Sequence, residues 1–112
     1  MLKQLLKRWA DWTGDHNLTL AINRELRKRG LAVHAAATRD VRLIAVERPG
    51  WVQVRSFHVE TFNSDKQPVT VLGLARDDGR KERIDVLLTE SVAEFTSQRD
   101  EWSDGLIQTG RR

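Results

Sequence analysis

The spacing of apolar residues changes at about position 30, and this change restricts the chain to folds that combine helices with a sheet. Before that position, apolar residues recur at three- and four-residue steps, which is the period of one face of an α-helix. After it, apolar and polar residues alternate, which is typical of a half-buried β-strand. The sequence therefore predicts helices followed by an antiparallel sheet.

Two amphipathic helices are predicted within residues 1–30. The apolar stripe of the first is formed by Leu2, Leu5, Leu6, Trp9 and Thr13. The second helix is expected to begin with Asn17 as its N-cap and to run through Arg29. Its apolar positions, spaced by four, are Leu18, Ile22 and Leu26. Gly30 followed by the apolar Leu31 is typical of a helix end with a left-handed glycine.

Four or five strands are predicted after Gly30. A weak candidate covers residues 31–37, and stronger ones cover residues 41–47, 51–62, 69–76 and 81–89. The alternation in 51–62 slips by one residue, which predicts a β-bulge near Arg55 and Ser56. Gly73 indicates a bend or a close contact within its strand. The hairpin around residues 77–80 is the strongest single signal, because Gly79 can supply a positive φ.

One further helix is predicted at residues 91–105. Ser91 and Glu94 have the spacing of a capping box, and Gly105 is expected to end the helix. Val92, Phe95 and Trp102 are expected near one face of it. The remaining residues, 106–112, are predicted to be a frayed tail.

These elements predict one α+β domain covering residues 1–112. Its expected architecture is two N-terminal helices, an antiparallel four- to five-stranded meander over residues 31–90, and one C-terminal helix. The length of 112 residues and the apolar share of 39% suit a single core. The meander would form a roll if it curled around one helix, or a small barrel if it closed on itself; both remain open.

Composition excludes several classes of chemistry. The chain has no cysteine, so disulfides, thiolate nucleophiles and cysteine-ligated metals are excluded. No apolar run approaches the ~20 residues of a membrane-spanning helix. Lys3 and Lys7 interrupt the first apolar segment, which differs from a signal peptide. We therefore expect a cytoplasmic protein.

Neither the histidines nor the carboxylates form a recognisable site. His16, His34 and His58 lack the short spacing of metal ligands. His34 and His58 could be neighbours on adjoining strands, but a metal site would also need carboxylates such as Glu60 or Asp85 to converge there. The carboxylate pairs are interpreted as structural, one in the hairpin turn and one on the last helix: Asp77 with Asp78, and Asp100 with Glu101.

Glycine-rich phosphate loops and the GxSxG frame of serine hydrolases are also missing from the sequence. The prediction is a non-enzymatic protein with no metal and no cofactor.

Positive charge is concentrated at the start of the chain. Residues 1–30 contain seven basic and three acidic residues. Arg24, Arg27 and Lys28 fall on one helical face, and Arg29 adjoins them with Glu25 four residues earlier as a partial counter-charge. Together with Lys3 and Lys7, these residues are candidates for contact with nucleic-acid phosphates.

Tryptophan is the second unusual feature. The chain has four tryptophans and no tyrosine. Trp12 and Trp51 do not fall cleanly on a core stripe, and large aromatic residues are enriched at interfaces. The leading hypothesis is a non-catalytic protein-binding or adaptor module, as a homodimer whose second copy covers an edge strand. The alternatives are nucleic-acid binding through the basic N-terminal helices and small-ligand binding in a curved sheet.

Overall fold

A five-stranded antiparallel sheet packs between two helices in the computed structural model, which describes residues 16–47, 52–78 and 83–109. The helices are α1, described over residues 16–28, and α2, Val92–Ser103. The strands are β1 Ala37–Val46, β2 Val52–Phe62, β3 Pro68–Asp78, β4 Arg83–Thr89 and β5 Ile107–Gln108. Their order across the sheet is β4-β3-β2-β1-β5. The predicted α+β class and the antiparallel meander are confirmed.

Helix α1 buries the stripe that its sequence predicts. Leu18, Ile22 and Leu26 are 3%, 2% and 0% exposed, and they pack in the main core cluster. Because His16 is already helical, the prediction of Asn17 as the N-cap is wrong. The helix predicted over residues 2–13 lies outside the described residues, whose two helices are α1 and α2.

The end of α1 has the geometry of a Schellman motif. The Leu31 amide donates to the Leu26 carbonyl at 2.9 Å, and the Gly30 amide donates to the Arg27 carbonyl at 3.1 Å. Gly30 has a φ of 70°, a left-handed conformation that glycine adopts without a steric penalty. The predicted helix end is confirmed.

Residues 31–36 form no strand and include a turn at 34–35, so the weak strand predicted at 31–37 is wrong except at Ala37, which begins β1. The backbone of this segment is held at the end of the sheet by two contacts to β2. The Ala32 amide donates to the Phe62 carbonyl at 2.9 Å, and the Thr61 hydroxyl donates to the Ala32 carbonyl at 2.5 Å. The chain must cross this end of the sheet to pass from α1 to β1, and that crossing prevents strand pairing here.

The two faces of the sheet contact different helices. Phe57 and Val59 on β2 belong to the core cluster that contains the α1 stripe. The alternate residues point the other way: Val54 pairs with Arg76, whose guanidinium carbon lies 5.1 Å from the centroid of the Trp102 ring on α2. We call these the α1 face and the α2 face.

The irregularity predicted in β2 lies in its neighbour instead. β2 pairs with β3 in continuous register from Val52 to Phe62, so a bulge at Arg55 and Ser56 is wrong. The shifts occur in the pairing of β1 with β2, where extra β1 residues fall between Arg39 and Arg42 and between Leu43 and Ala45. β2 buries Val54 on one face and Phe57 on the other, because a different helix covers each face.

Helix α2 begins with half of the predicted capping box. The Ser91 hydroxyl accepts from the Glu94 amide at 3.1 Å, while the Ser91 amide donates to the Thr89 hydroxyl at 3.0 Å. Gly105, at φ 78°, follows the helix end as predicted. Phe95 and Trp102 are half-buried, but Val92 is 69% exposed and does not share their contact with the sheet.

The residues after α2 return to the sheet. Ile107 and Gln108 pair with Val46 and Ala45 of β1, and the Thr109 amide donates to the Ile44 carbonyl at 2.9 Å. A frayed tail from residue 106 is therefore wrong for residues 107–109. Within the described part of the chain, β4 and β5 are the two ends of an open sheet, so the described strands do not close into a barrel.

Candidate functional site

The predicted basic residues of α1 lie on its solvent side. Arg24, Arg27, Lys28 and Arg29, which we call the basic surface, are all exposed. The helical period explains the exposure of Arg24, Arg27 and Lys28, because Leu18, Ile22 and Leu26 occupy the opposite, buried side. Arg29 lies in the turn after α1. The structure therefore brings together the four described residues of the six predicted for phosphate contact.

Only one member of the basic surface has a carboxylate partner among the described residues. Lys28 Nζ lies 3.1 Å from Glu25 Oε2, so Glu25 pairs at i,i+3 and not with Arg29 as expected. No described carboxylate lies within ion-pairing distance of Arg24, Arg27 or Arg29. Three guanidinium groups thus remain available to an anion from solution.

Four predicted site residues lie outside the described part of the chain. They are Lys3 and Lys7, proposed for nucleic-acid contact, and Trp12 and Trp51, proposed for a protein interface. Trp102, by contrast, is described, and its ring lies against the Arg76 guanidinium, which also contacts Asp85 at 3.0 Å. This tryptophan packs α2 onto the sheet.

A network of polar, ionisable side chains crosses β1 and β2 on the α2 face. His58 Nδ1 lies 3.5 Å from Asp40 Oδ2, and His58 Nε2 lies 3.5 Å from Glu60 Oε1. Arg39 Nε extends the network, at 3.6 Å from Glu60 Oε2. Sequence reasoning missed it because Asp40 and His58 meet only through strand pairing, although Glu60 was named as a possible neighbour of His58.

This network is not a metal site as it stands. In the described residues no group of three or more histidine and carboxylate side chains has the geometry to hold a metal ion. His34 lies in the turn before β1 and not on a strand, so the alternative in which His34 and His58 are neighbours on adjoining strands is wrong. The predictions of no metal, no cofactor and no catalysis stay predictions.

Of the two carboxylate pairs singled out in the sequence, one lies at the end of β3 and the other on α2. Asp77 and Asp78 are the last residues of β3 and pair with Ile84 and Arg83, so their prediction as turn residues is wrong. Asp100 and Glu101 are exposed on α2, as predicted. Asp100 contacts Arg99 at 3.3 Å, and Glu101 accepts from Gln98 at 3.1 Å.

A cleft of 390 Å³ lies where residues 35–37 pass the ends of β2 and β3. Its lining includes the ion pair of Arg39 with Glu60 and the half-exposed ring of Phe62. Because these side chains face solvent, a small molecule bound there would stay partly hydrated. This cleft is the position that a small-ligand site would occupy.

The two edges of the described sheet differ in regularity. On the side opposite β4, most of β1 also lies at the edge, because β5 has only two residues. β1 is interrupted by its two register shifts, and Asp40 within it has a φ of 55°. β5 also covers its end at Ala45 and Val46. Bulges, charges and covering strands are the usual features that prevent an edge from pairing with another chain.

β4 has no register shift and no described covering strand, although it carries two charged residues, Arg83 and Asp85. Its seven residues, Arg83–Thr89, pair with β3 in unbroken register from Asp78 to Leu72. Ile84, Val86 and Leu88 point to the α1 face, as the alternation predicts, and all three pack against or within the core cluster. Among the described strands, β4 is therefore an edge strand that pairs regularly with β3 on one side and has no described strand on its other side.

No helix among the described residues is both long and apolar enough to cross a membrane. Comparison of the chain with protein-family models, with curated proteins and with solved structures gave no match in any of the three.

Proposed function

We propose that the protein is a non-catalytic protein-binding module that forms a homodimer by pairing β4 with β4 of a second copy. The observation that carries this proposal is the regular register of β4 at the edge of the described sheet. The outer side of an edge strand carries backbone donors and acceptors that a second strand can pair with. Antiparallel pairing of identical edges is a common route to a two-fold dimer.

The sequence of β4 favours one register for this pairing. A two-fold axis at Val86 pairs all seven residues, with Arg83 opposite Thr89 and Val86 opposite Val86 of the second copy. An axis at Asp85 would place two like charges directly opposite each other, which is destabilising. An axis at Ile84 would pair only three residues of the strand. We therefore propose the axis at Val86.

This register also joins the apolar layers of the two copies. Ile84 of one copy would oppose Leu88 of the other, on both sides of the central Val86 pair. These residues lie on the α1 face, where Ile84 and Val86 are only partly buried against the core. Burying more apolar area of these side chains stabilises the pair by about 25 cal/mol per Å². Pairing would thus extend the core across the axis.

Single cysteines test the register, because the chain has no cysteine of its own. Directly paired residues have Cα atoms ~4.5–5.5 Å apart, within the range that a disulfide spans. Val86→Cys should therefore form a disulfide-linked dimer on mild oxidation. Ile84→Cys and Leu88→Cys should not, because each lies ~14 Å from its own copy at four residues' separation.

Leu20→Cys is the matched control, since Leu20 is 50% exposed on α1 and reports random collision. Light scattering after size exclusion should give twice the 12.9 kDa of one chain for the wild type. A monomer mass at high micromolar concentration would remove the dimer. Faster crosslinking at position 84 or 88 than at 86 would remove the proposed register.

A further inference from the structure

We infer that the basic surface of α1 binds nucleic acid through its phosphate backbone. The surface consists of four exposed cations at the C-terminal end of one helix: Arg24, Arg27, Lys28 and Arg29. Only Lys28 forms an ion pair with a described carboxylate, that of Glu25. This inference needs no dimer, and it concerns a different surface from β4.

The spacing of the cations suits a chain of phosphates. Arg24, Arg27 and Lys28 stand at i, i+3 and i+4, so they lie on one side of the helix over ~6 Å of its axis at 1.5 Å per residue. Double-stranded DNA carries about one charge per 1.7 Å of its axis, so several phosphates fall within reach. Each cation that contacts a phosphate releases condensed counterions, and this release drives binding.

The chemistry of the side chains also favours phosphate. Three of the four are arginines, whose planar guanidinium groups donate paired hydrogen bonds to phosphate oxygens. No described carboxylate is paired with Arg24, Arg27 or Arg29, so an incoming phosphate would not have to displace one of the described carboxylates. Contact of this kind positions a nucleic acid without reading its sequence.

A membrane surface is a poorer fit to the same helix. Interfacial helices insert their apolar side between lipid headgroups. In α1 that side is already committed to the core, because Ile22 and Leu26 are 2% and 0% exposed. Binding to lipid would therefore depend on charge alone.

Pairing through β4, if the proposed function holds, would enlarge the basic surface. A two-fold axis perpendicular to the sheet keeps the α1 faces of both copies on the same side. Two basic surfaces would then face one nucleic-acid molecule, and binding at the second would gain from the effective concentration set by the first.

The test is fluorescence anisotropy of the full chain with a short labelled duplex and a labelled single strand over a range of salt concentrations. We expect dissociation constants of about 1–100 μM near physiological salt and a log–log salt slope of about −0.9 per phosphate contacted on the duplex. Arg24→Gln with Arg27→Gln should reduce the magnitude of that slope by about 2 units. Glutamine is preferred to glutamate because a negative charge in the last turn would also destabilise the helix.

The matched control is Arg42→Gln with Arg99→Gln. It removes the same charge from the opposite side of the sheet, since Arg42 pairs with Ser56 on the α2 face and Arg99 lies on α2. This control should bind like the wild type, and circular dichroism should show both double variants folded.

Three results would overturn the inference. The first is no binding of either nucleic acid at low salt. The second is equal loss of affinity in the two double variants, which would indicate a response to net charge and not to α1. The third is tighter binding to polyglutamate or to phosphatidylserine vesicles than to nucleic acid, which would assign the basic surface to an acidic protein or a membrane. If the protein is a monomer that still binds nucleic acid, the proposed dimer is wrong and this inference still holds.

Discussion

Gly73 on β3 lies directly opposite Phe57 on β2, and the Phe57 ring occupies the space that a side chain at position 73 would need. A Cβ atom built on Gly73 would overlap three atoms of that ring. The predicted close contact at this glycine is thereby confirmed. The glycine is required for close packing across the pair, since Phe57 is 4% exposed and belongs to the α1 core cluster.

Gly73→Ala should therefore destabilise the protein, although alanine is otherwise tolerated in strands. The ring must shift within a packed core, and overpacking of this kind costs about 1–3 kcal/mol. Urea unfolding followed by tryptophan fluorescence measures the change. In a Phe57→Leu background the ring atoms are absent, so the same substitution should cost less. Equal costs in both backgrounds would contradict the contact, because residues in contact are expected to be non-additive.

Leu26→Ala should lower the free energy of unfolding more than Leu20→Ala, the same substitution at another position of α1. Leu26 is 0% exposed within the core cluster, so its truncation should cost about 2–5 kcal/mol in unfolding free energy. Leu20→Ala is the matched control on the same helix, because Leu20 is 50% exposed, and its effect should stay within about 0.5 kcal/mol. Similar losses at the two positions would mean that the orientation of α1 is different from the one described.

Ser91→Ala should lower stability through the start of α2. The Ser91 hydroxyl accepts from the Glu94 amide, and loss of such a cap costs about 0.5–2 kcal/mol. Ser97→Ala, at an exposed position inside the same helix, should be neutral or slightly stabilising because alanine is the better helix former. Thermal unfolding of the two variants gives the comparison. If Ser91→Ala unfolded at the wild-type melting temperature, the Ser91 cap would contribute nothing to stability.

Elements with short-range signals were predicted well. The buried stripe of α1, its end at Gly30 and the Ser91 cap all depend on residues within five positions of one another. The β3–β4 hairpin was also predicted, although β3 reaches Asp78 and includes two aspartates that were assigned to the turn. Aspartate is depleted in strands as a local preference, and here pairing with Arg83 and Ile84 overrides that preference.

Less of the candidate sites could be predicted. The exposure of Arg24 and Arg27 follows from the helical period and could be predicted, while their contact with nucleic acid stays a prediction. Periodicity also placed Ile84, Val86 and Leu88 on one face of β4. It could not show that β4 would be the regular edge, because edge position depends on the order of all five strands.

The sequence by itself determined which residues of α1 are buried, where that helix ends and that β3 and β4 pair as consecutive antiparallel strands, because neighbours along the chain decide these features. Only the tertiary structure decided that β1 carries the irregular pairing and that Thr109 hydrogen-bonds to Ile44, 65 positions earlier. Such contacts join residues far apart in the chain, and their geometry depends on how both faces of the sheet are covered. That packing is a property of the whole fold and has no signature in a local stretch of residues.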